Sequence, residues 1–250
     1  MPLLNTADKL YLGTNTVTAM YLGSTKVWPA FNPKNLSGLK VWLDASQIPS
    51  AAPELPISSW PNLAIGGAPG AMMGTPLPWI SDRQLNSKPL VRFFNNSGRM
   101  RMTSTGVGTD YTLVYLARLV AGGVAGRVVT VTYPPSNFLT GFWNGYQDVG
   151  YDNGFLAPDT RTSVVYDQWK LYSADGATSG SYRLFSNGNL LGSTPVTGGW
   201  NGTLNISGYD ASSTAETCDI EMAELVLYDN KKTDAERQQV EGYLRAKWGV

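Results

Sequence analysis

Histidine is absent from all 250 residues. That removes Ser-His-Asp and Cys-His catalytic arrangements and every His-ligated zinc or iron site. Cysteine occurs once, at Cys218, so an intrachain disulfide and a thiolate metal cluster are both excluded. Cys218 lies in Glu216-Thr217-Cys218-Asp219, where flanking acids raise a thiol pKa, so a half-buried structural cysteine is expected. Charge is scarce as well, 15% of the chain, with 19 basic and 19 acidic residues and a formal net charge of zero. A nucleic-acid or membrane-surface partner would call for a basic excess, and the only adjacent basic pair is Lys231-Lys232. No run approaches the roughly 20 apolar residues of a membrane span. Met1–Asp8 lacks the basic start and apolar stretch of a signal peptide, so a chain made in a cytoplasm is expected.

What is present begins with a repeat. Tyr11-Leu12-Gly13-Thr14-Asn15-Thr16-Val17 returns ten residues later as Tyr21-Leu22-Gly23-Ser24-Thr25-Lys26-Val27, closing on Trp28-Pro29. Each copy reads as strand, tight turn, strand. A unit this short cannot bury its apolar side chains alone. It is either the N-terminal hairpin of a single domain or a docking module, and in the second case Tyr11, Leu12, Tyr21, Leu22, Val27 and Trp28 are the docking side chains. Across residues 8–29 the phrase resembles the short segment, ending in Val-Trp-Pro, that opens many bacteriophage tail fibre and minor tail proteins.

The rest is patterned as an all-β chain, with short alternating runs between Gly, Pro and Asn-Gly punctuation. Strands are expected near Gly38–Asp44, Pro89–Phe94, Tyr111–Leu119, Arg127–Tyr133, Phe138–Trp143, Ser163–Tyr172, Ser181–Ser186, Asn189–Ser193, Leu204–Ser207 and Ile220–Tyr228. Asn187-Gly188 supplies the positive φ angles of a two-residue hairpin turn. Residues 45–88, rich in proline and glycine, read as a long ordered loop, and residues 31–37 as a linker between an N-terminal module (1–30) and a main domain (38–250). One helix is expected, at the C-terminus. Thr233 and Glu236 form a capping box, Val240, Tyr243, Leu244 and Trp248 share a face, and Gly249 supplies a stop.

Within residues 38–249, Leu39-Lys40-Val41-Trp42-Leu43-Asp44, Lys88–Phe93, the Tyr182–Leu191 hairpin, Ile220–Tyr228 and the capped terminal helix together resemble the laminin G-like branch of the concanavalin A-like lectin/glucanase superfamily. The resemblance implies a two-sheet jelly-roll sandwich that binds carbohydrate or protein, with calcium at one rim in many members. Joined to the N-terminal phrase, it implies a virion adhesin: a minor tail or tail fibre component that binds host-surface glycan. Other tail proteins and further copies of itself, a trimer being favoured, would be its partners. A purely architectural virion protein, such as a capsid decoration or tail ornament that binds other virion proteins, is the first alternative, and a glycan hydrolase the second.

Glucanases of that superfamily place three carboxylates along one strand, and retaining hydrolysis needs two of them about 5 Å apart. Here Glu216-Thr217-Cys218-Asp219-Ile220-Glu221 is out of step, because Asp219 and Glu221 share a face and Glu216 does not. A non-enzyme is expected, with Asp219 and Glu221 on a solvated face and Glu224 turned inward toward Arg245 or Lys247. The binding candidates lie in Gly141–Gly154, read as a glycine-rich loop: Trp143, Asn144, Tyr146, Asp148, Tyr151, Asp152 and Asn153, with Trp200 and Asn201 in a second loop. Aromatic rings suit the apolar face of a sugar, and amides and carboxylates suit its hydroxyls. The competing reading makes Trp143 and Trp200 core or edge-covering aromatics. If calcium is bound, Asp148 and Asp152 are its ligands, with Asn153 and Asp210 as further oxygen donors.

Overall fold

The computed structural model describes residues 31–48, 53–74, 77–94, 98–103, 105–123, 126–133, 136–156, 159–195, 200, 202–209 and 216–250, together with the backbone of 10–12, 15–17, 20–22 and 25–28. In chain order the strands are β1 (Leu10–Leu12), β2 (Asn15–Val17), β3 (Met20–Leu22), β4 (Thr25–Trp28), β5 (Leu39–Asp44), β6 (Ser59–Trp60), β7 (Gly70–Met73), β8 (Trp79–Leu85), β9 (Lys88–Phe93) and β10 (Arg99–Met102). There follow β11 (Tyr111–Leu119), β12 (Val129–Tyr133), β13 (Ser136–Trp143), β14 (Tyr146–Asp152), β15 (Thr162–Ser163), β16 (Lys170–Gly176), β17 (Ser181–Ser186), β18 (Asn189–Pro195), β19 (Leu204–Ile206) and β20 (Ile220–Tyr228). The helix α1 spans Asp234–Trp248.

Each copy of the N-terminal repeat pairs with itself. β1 runs antiparallel to β2, with Leu10 opposite Val17, and β3 to β4, with Met20 opposite Trp28. Tyr11, Leu12, Tyr21, Leu22, Val27 and Trp28 all lie in these strands, and their side chains lie outside the described residues.

The main body is a sandwich of two antiparallel sheets. One has the order β18-β17-β16-β11-β20-β9-β8, and the other β15-β14-β13-β12-β19-β10-β7-β6. β5 joins the first sheet on the edge of β20 that β9 also uses: β9 meets residues 220–222 and β5 meets 224–228. Period-two alternation fills the space between the sheets. Leu113, Tyr115, Tyr172 and Leu225 enter from the first sheet, and Val129, Val131, Phe138 and Phe142 from the second; all are buried. The Tyr115 hydroxyl crosses to the Thr140 carbonyl at 2.8 Å, and the Tyr172 ring meets Phe142 edge-on at 5.3 Å.

The reverse side of the first sheet is covered by α1. Thr233 caps the helix and accepts from the Glu236 amide, Glu236 reaches back to the Thr233 amide, and Gly249 ends it at φ 73°. Val240, Leu244 and Trp248 are fully buried. Glu224 turns toward the helix and pairs with Lys247 at 2.6 Å. This is an all-β, jelly-roll sandwich of concanavalin A-like topology with a single C-terminal helix among the described residues.

Several expectations need correction. Residues 45–88 are not a loop: they carry β6, β7 and β8, which extend the edges of both sheets. The expected strand Ser163–Tyr172 divides into β15 and β16, which belong to different sheets. Glu221 is not solvated. It is fully buried, where Arg118 binds it at 2.6 Å and the Ser81 hydroxyl donates to it at 2.5 Å, with Arg92 at 3.8 Å. Neighbouring strands supply these cations, so alternation along β20 alone could not reveal them. Residues 31–36 pack on the sandwich: Phe31 lies 5.9 Å from the Tyr243 ring, and the Tyr228 hydroxyl donates to the Pro33 carbonyl at 3.0 Å. Cys218 is fully buried rather than half-buried, its thiol faces the Arg127 carbonyl at 3.1 Å, and burial pushes its pKa up.

Candidate functional site

The stretch read as a loop is a hairpin. β13 and β14 turn through Asn144 and Gly145, at φ 48° and 82°, the left-handed pair that matches strand twist. The turn sets Trp143 directly opposite Tyr146. Farther along, Gly141 faces Val149 while Phe142 faces Gln147, so Asp148 is an extra residue, a bulge with φ 62°. Gly141 itself has φ 95°, and any Cβ there would stand 1.9 Å from the Tyr115 hydroxyl. Only glycine lets the two sheets approach this closely beneath the hairpin.

Alternation points Leu139, Trp143, Tyr146 and Tyr151 away from the core. The chain then folds back over this outer face. Phe155 packs against Tyr151 edge-on at 4.9 Å and against Trp143 at 5.5 Å. Arg161 lies 4.5 Å from the centre of the Phe155 ring and 5.7 Å from that of Tyr146. The outcome is a contiguous patch of four aromatic rings around one guanidinium, with Tyr146 41% and Phe155 39% exposed. Trp143 and Tyr151 are half-buried.

The patch is braced from below and from the side. The Trp143 indole N–H donates to Glu216 Oε1 at 2.8 Å, and Glu216 Oε2 accepts from Arg127 Nε at 2.5 Å. Arg127 also donates to Asn137 Oδ1 at 2.7 Å. Arg161 is held by Asp159 through Nε at 2.8 Å and Nη2 at 2.5 Å, and this contact pulls the Asp159 carboxyl down to about 2. These braces set the rings before any ligand arrives.

Of the nine residues expected to bind sugar, Trp143, Tyr146 and Tyr151 come together here. Asn144 is exposed at the hairpin turn, beside Trp143 and Tyr146. Asn153 is exposed and accepts from the Asn137 amide at 2.9 Å. Asp148 and Asp152 are buried and are not surface contacts. Asp148 is occupied by the Tyr172 hydroxyl at 2.9 Å and by Thr162 at 3.3 Å, with Lys170 at 3.8 Å. Asp152 stands opposite Phe138 on the core side. Among the described residues no group of three Cys, Asp or Glu side chains is placed to hold a metal ion. Trp200 is a core residue, 3% exposed, stacked on Tyr111 at 4.8 Å and edge-on to Phe138 at 5.1 Å. Asn201 and Asp210 lie outside the described residues. Phe155, Arg161 and Glu216 went unforeseen. Phe155 directly follows the Gly141–Gly154 stretch, whereas nothing local marks the other two.

Away from the patch, a cleft of about 280 Å³ lies between the start of β5, the loop at Asn62–Ala68 and the end of β10, with Thr103 and Thr105 also lining it. Aromatic rings are absent from its lining.

No protein-family model matches the chain, and no curated protein matches it in sequence. Solved structures do match its fold. Domain 4 of AbnA, a GH43 extracellular arabinanase from Geobacillus stearothermophilus solved with arabinotriose, is 14% identical, with a TM-score of 0.55 over 82% of this chain and 98% of that one. Trypanosoma rangeli sialidase, solved with sialic acid, is 15% identical, with a TM-score of 0.54 over 85% of this chain and 33% of that one. The binding domain of botulinum neurotoxin serotype D/C is 12% identical, with a TM-score of 0.56 over 85% of this chain and 53% of that one. This chain thus spans a third of the sialidase and half of the toxin fragment. At such identities the likeness is one of fold: the lectin-type sandwich is shared.

Proposed function

We propose that this chain is a non-catalytic, carbohydrate-binding component of a bacteriophage virion, of the minor tail or tail fibre type, that attaches to host-surface glycan. The observation that carries the reading is the convergence of Trp143, Tyr146, Tyr151 and Phe155 on one accessible, pre-braced face. Sugar rings present axial C–H groups that pack on such rings, while hydroxyls at their rim find polar neighbours such as Asn144. The likeness in fold to domain 4 of the arabinanase, solved with an arabinose oligomer, supports a binding role for a sandwich of this kind. The two self-paired units at residues 10–28 support a docking role for the N-terminal repeat, with other tail proteins or further copies of the chain, as a trimer, as partners. Glu221, buried between two arginines, has no open face toward a substrate, which supports a binding rather than a hydrolytic reading.

Trp143→Ala tests this reading. Adsorption of the purified chain to host cells or isolated envelope glycan should fall at least tenfold, with the cooperative unfolding transition retained. Intact adsorption without Trp143, or release of sugar products that disappears with Glu221→Gln, overturns it.

A further inference from the structure

The sign of charge is what distinguishes glycan classes at such a face, and here three cations at or beneath the hairpin are each matched by a carboxylate among the described residues. Arg161, the only cation that touches the exposed rings among the described residues, is chelated by Asp159 through two of its nitrogens. Arg127 is engaged by Glu216, which at the same time holds the Trp143 indole. Lys170 lies 3.8 Å from Asp148, whose other contacts are the Tyr172 and Thr162 hydroxyls. Three cations meet three carboxylates. Asp159 takes the Nε–Nη2 side of the Arg161 guanidinium and neutralises it, and Phe155 lies against one of its faces, so a second carboxylate finds no net positive charge there.

An acidic sugar, sialic or uronic, would have to displace Asp159 from Arg161 or stand beside that carboxylate at the open Nη1 end, and in both cases it faces a like charge. The exchange trades one charge-assisted contact for another and adds a repulsion. A neutral sugar meets no such competition, because ring stacking and hydroxyl contacts leave the ion pairs in place. From this geometry we infer that the Trp143–Phe155 face selects uncharged glycans and that Asp159 is the residue that excludes acidic ones. The inference rests on the carbohydrate-binding reading above. It adds the class of ligand and a specificity-determining residue that makes no ring contact itself. Because Arg161 holds Asp159 ionised down to about pH 2, the exclusion persists through ordinary acidic conditions.

The test is a printed array of neutral, sialylated and uronic oligosaccharides, read with wild type and Asp159→Asn at 50 and 500 mM NaCl. Neutral glycans should bind wild type with a signal that changes less than about twofold between the two salts, since an uncharged ligand offers no charge for salt to screen. Asp159→Asn frees Arg161 and should admit acidic glycans, with a signal that falls about fivefold or more at high salt. Asp159 is 54% exposed on its side chain, so the variant retains the fold, which a melting curve checks. Wild-type preference for acidic glycans, or the absence of any acidic signal with Asp159→Asn, overturns the inference and leaves carbohydrate binding standing. Binding of no glycan by either protein overturns both.

Discussion

The Trp248 indole N–H donates to Glu224 Oε2 at 2.8 Å, joining the last turn of α1 to the middle of β20. The same carboxylate accepts from Trp42 Nε1 at 2.6 Å, the Tyr243 hydroxyl at 2.9 Å and Lys247 Nζ at 2.6 Å, and Lys247 also pairs with Asp44. One buried anion thereby collects donors from β5 and from three positions of the helix.

Glu224→Ala should therefore cost about 3–5 kcal/mol, since it leaves two buried indole N–H groups without an acceptor and the Lys247 ammonium with Asp44 alone. Trp248→Ala, at a fully buried site, should cost about 3–5 kcal/mol for cavity and lost contacts. Because the two side chains touch, the double variant should lose less than the sum. Urea unfolding of the four proteins measures this, and a loss under about 1 kcal/mol for either single variant would show a loosely attached helix.

The helix start makes a pH-dependent contribution. The Thr233 amide and hydroxyl hold the Glu236 carboxyl below its ordinary range, and Arg183 does the same for Asp234. A folded-state pKa below the unfolded one means stability that is complete above the ordinary carboxylate range, near 4, and lost as pH falls through the depressed values. Glu236→Gln keeps an acceptor for the cap but cannot titrate. Its melting temperature should sit slightly below wild type at pH 7, and the gap should narrow as pH falls below the ordinary carboxylate range. A constant gap as pH falls would show that the pair does not titrate with folding.

Glu216 is expected to position Trp143. Glu216→Gln weakens the charge-assisted contact to Arg127 and should reduce stability by about 1–2 kcal/mol. It should also shift the Trp143 indole N–H resonance and lower cell adsorption several-fold. Loss of stability with the resonance and adsorption unchanged would make Glu216 structural only.

Deleting residues 1–30 should leave the sandwich's denaturation midpoint unchanged while abolishing assembly with the virion or with further copies. Phe31 and Pro33 remain to pack on Tyr243 and Tyr228, so the truncated chain keeps its own edge covered. A large fall in the midpoint would assign the repeat to the core of the sandwich.

Much of the fold is legible locally. β11, β17 and β20 carry unbroken alternation or full apolar runs, and their bounds coincide with the expected ones. The capping box fixes the start of α1 in the same way. β7 and β8 are hidden, because Gly70-Ala71-Met72-Met73 is short and β8 carries Asp82-Arg83-Gln84 on a sheet edge where polar residues are tolerated. At the candidate site, Trp143, Tyr146 and Tyr151 are legible because one hairpin gathers them. Glu216 and Arg161 reach the rings through folds of the chain that no short window contains. Trp200 misleads for the opposite reason: its glycine-rich setting suggests a surface loop, yet the ring fills the core.

The shared edge of β20 has a consequence for biosynthesis. β5, the first strand of the sandwich to leave the ribosome, finds its partner only when residues 224–228 have been made. At typical elongation rates that interval is roughly 10–35 s, during which the edge of β5 is open to intermolecular pairing. The nascent sandwich is therefore expected to fold best where neighbouring chains are kept apart until its penultimate element arrives. Synthesis on crowded polysomes should yield more insoluble chain than sparse translation of the same message.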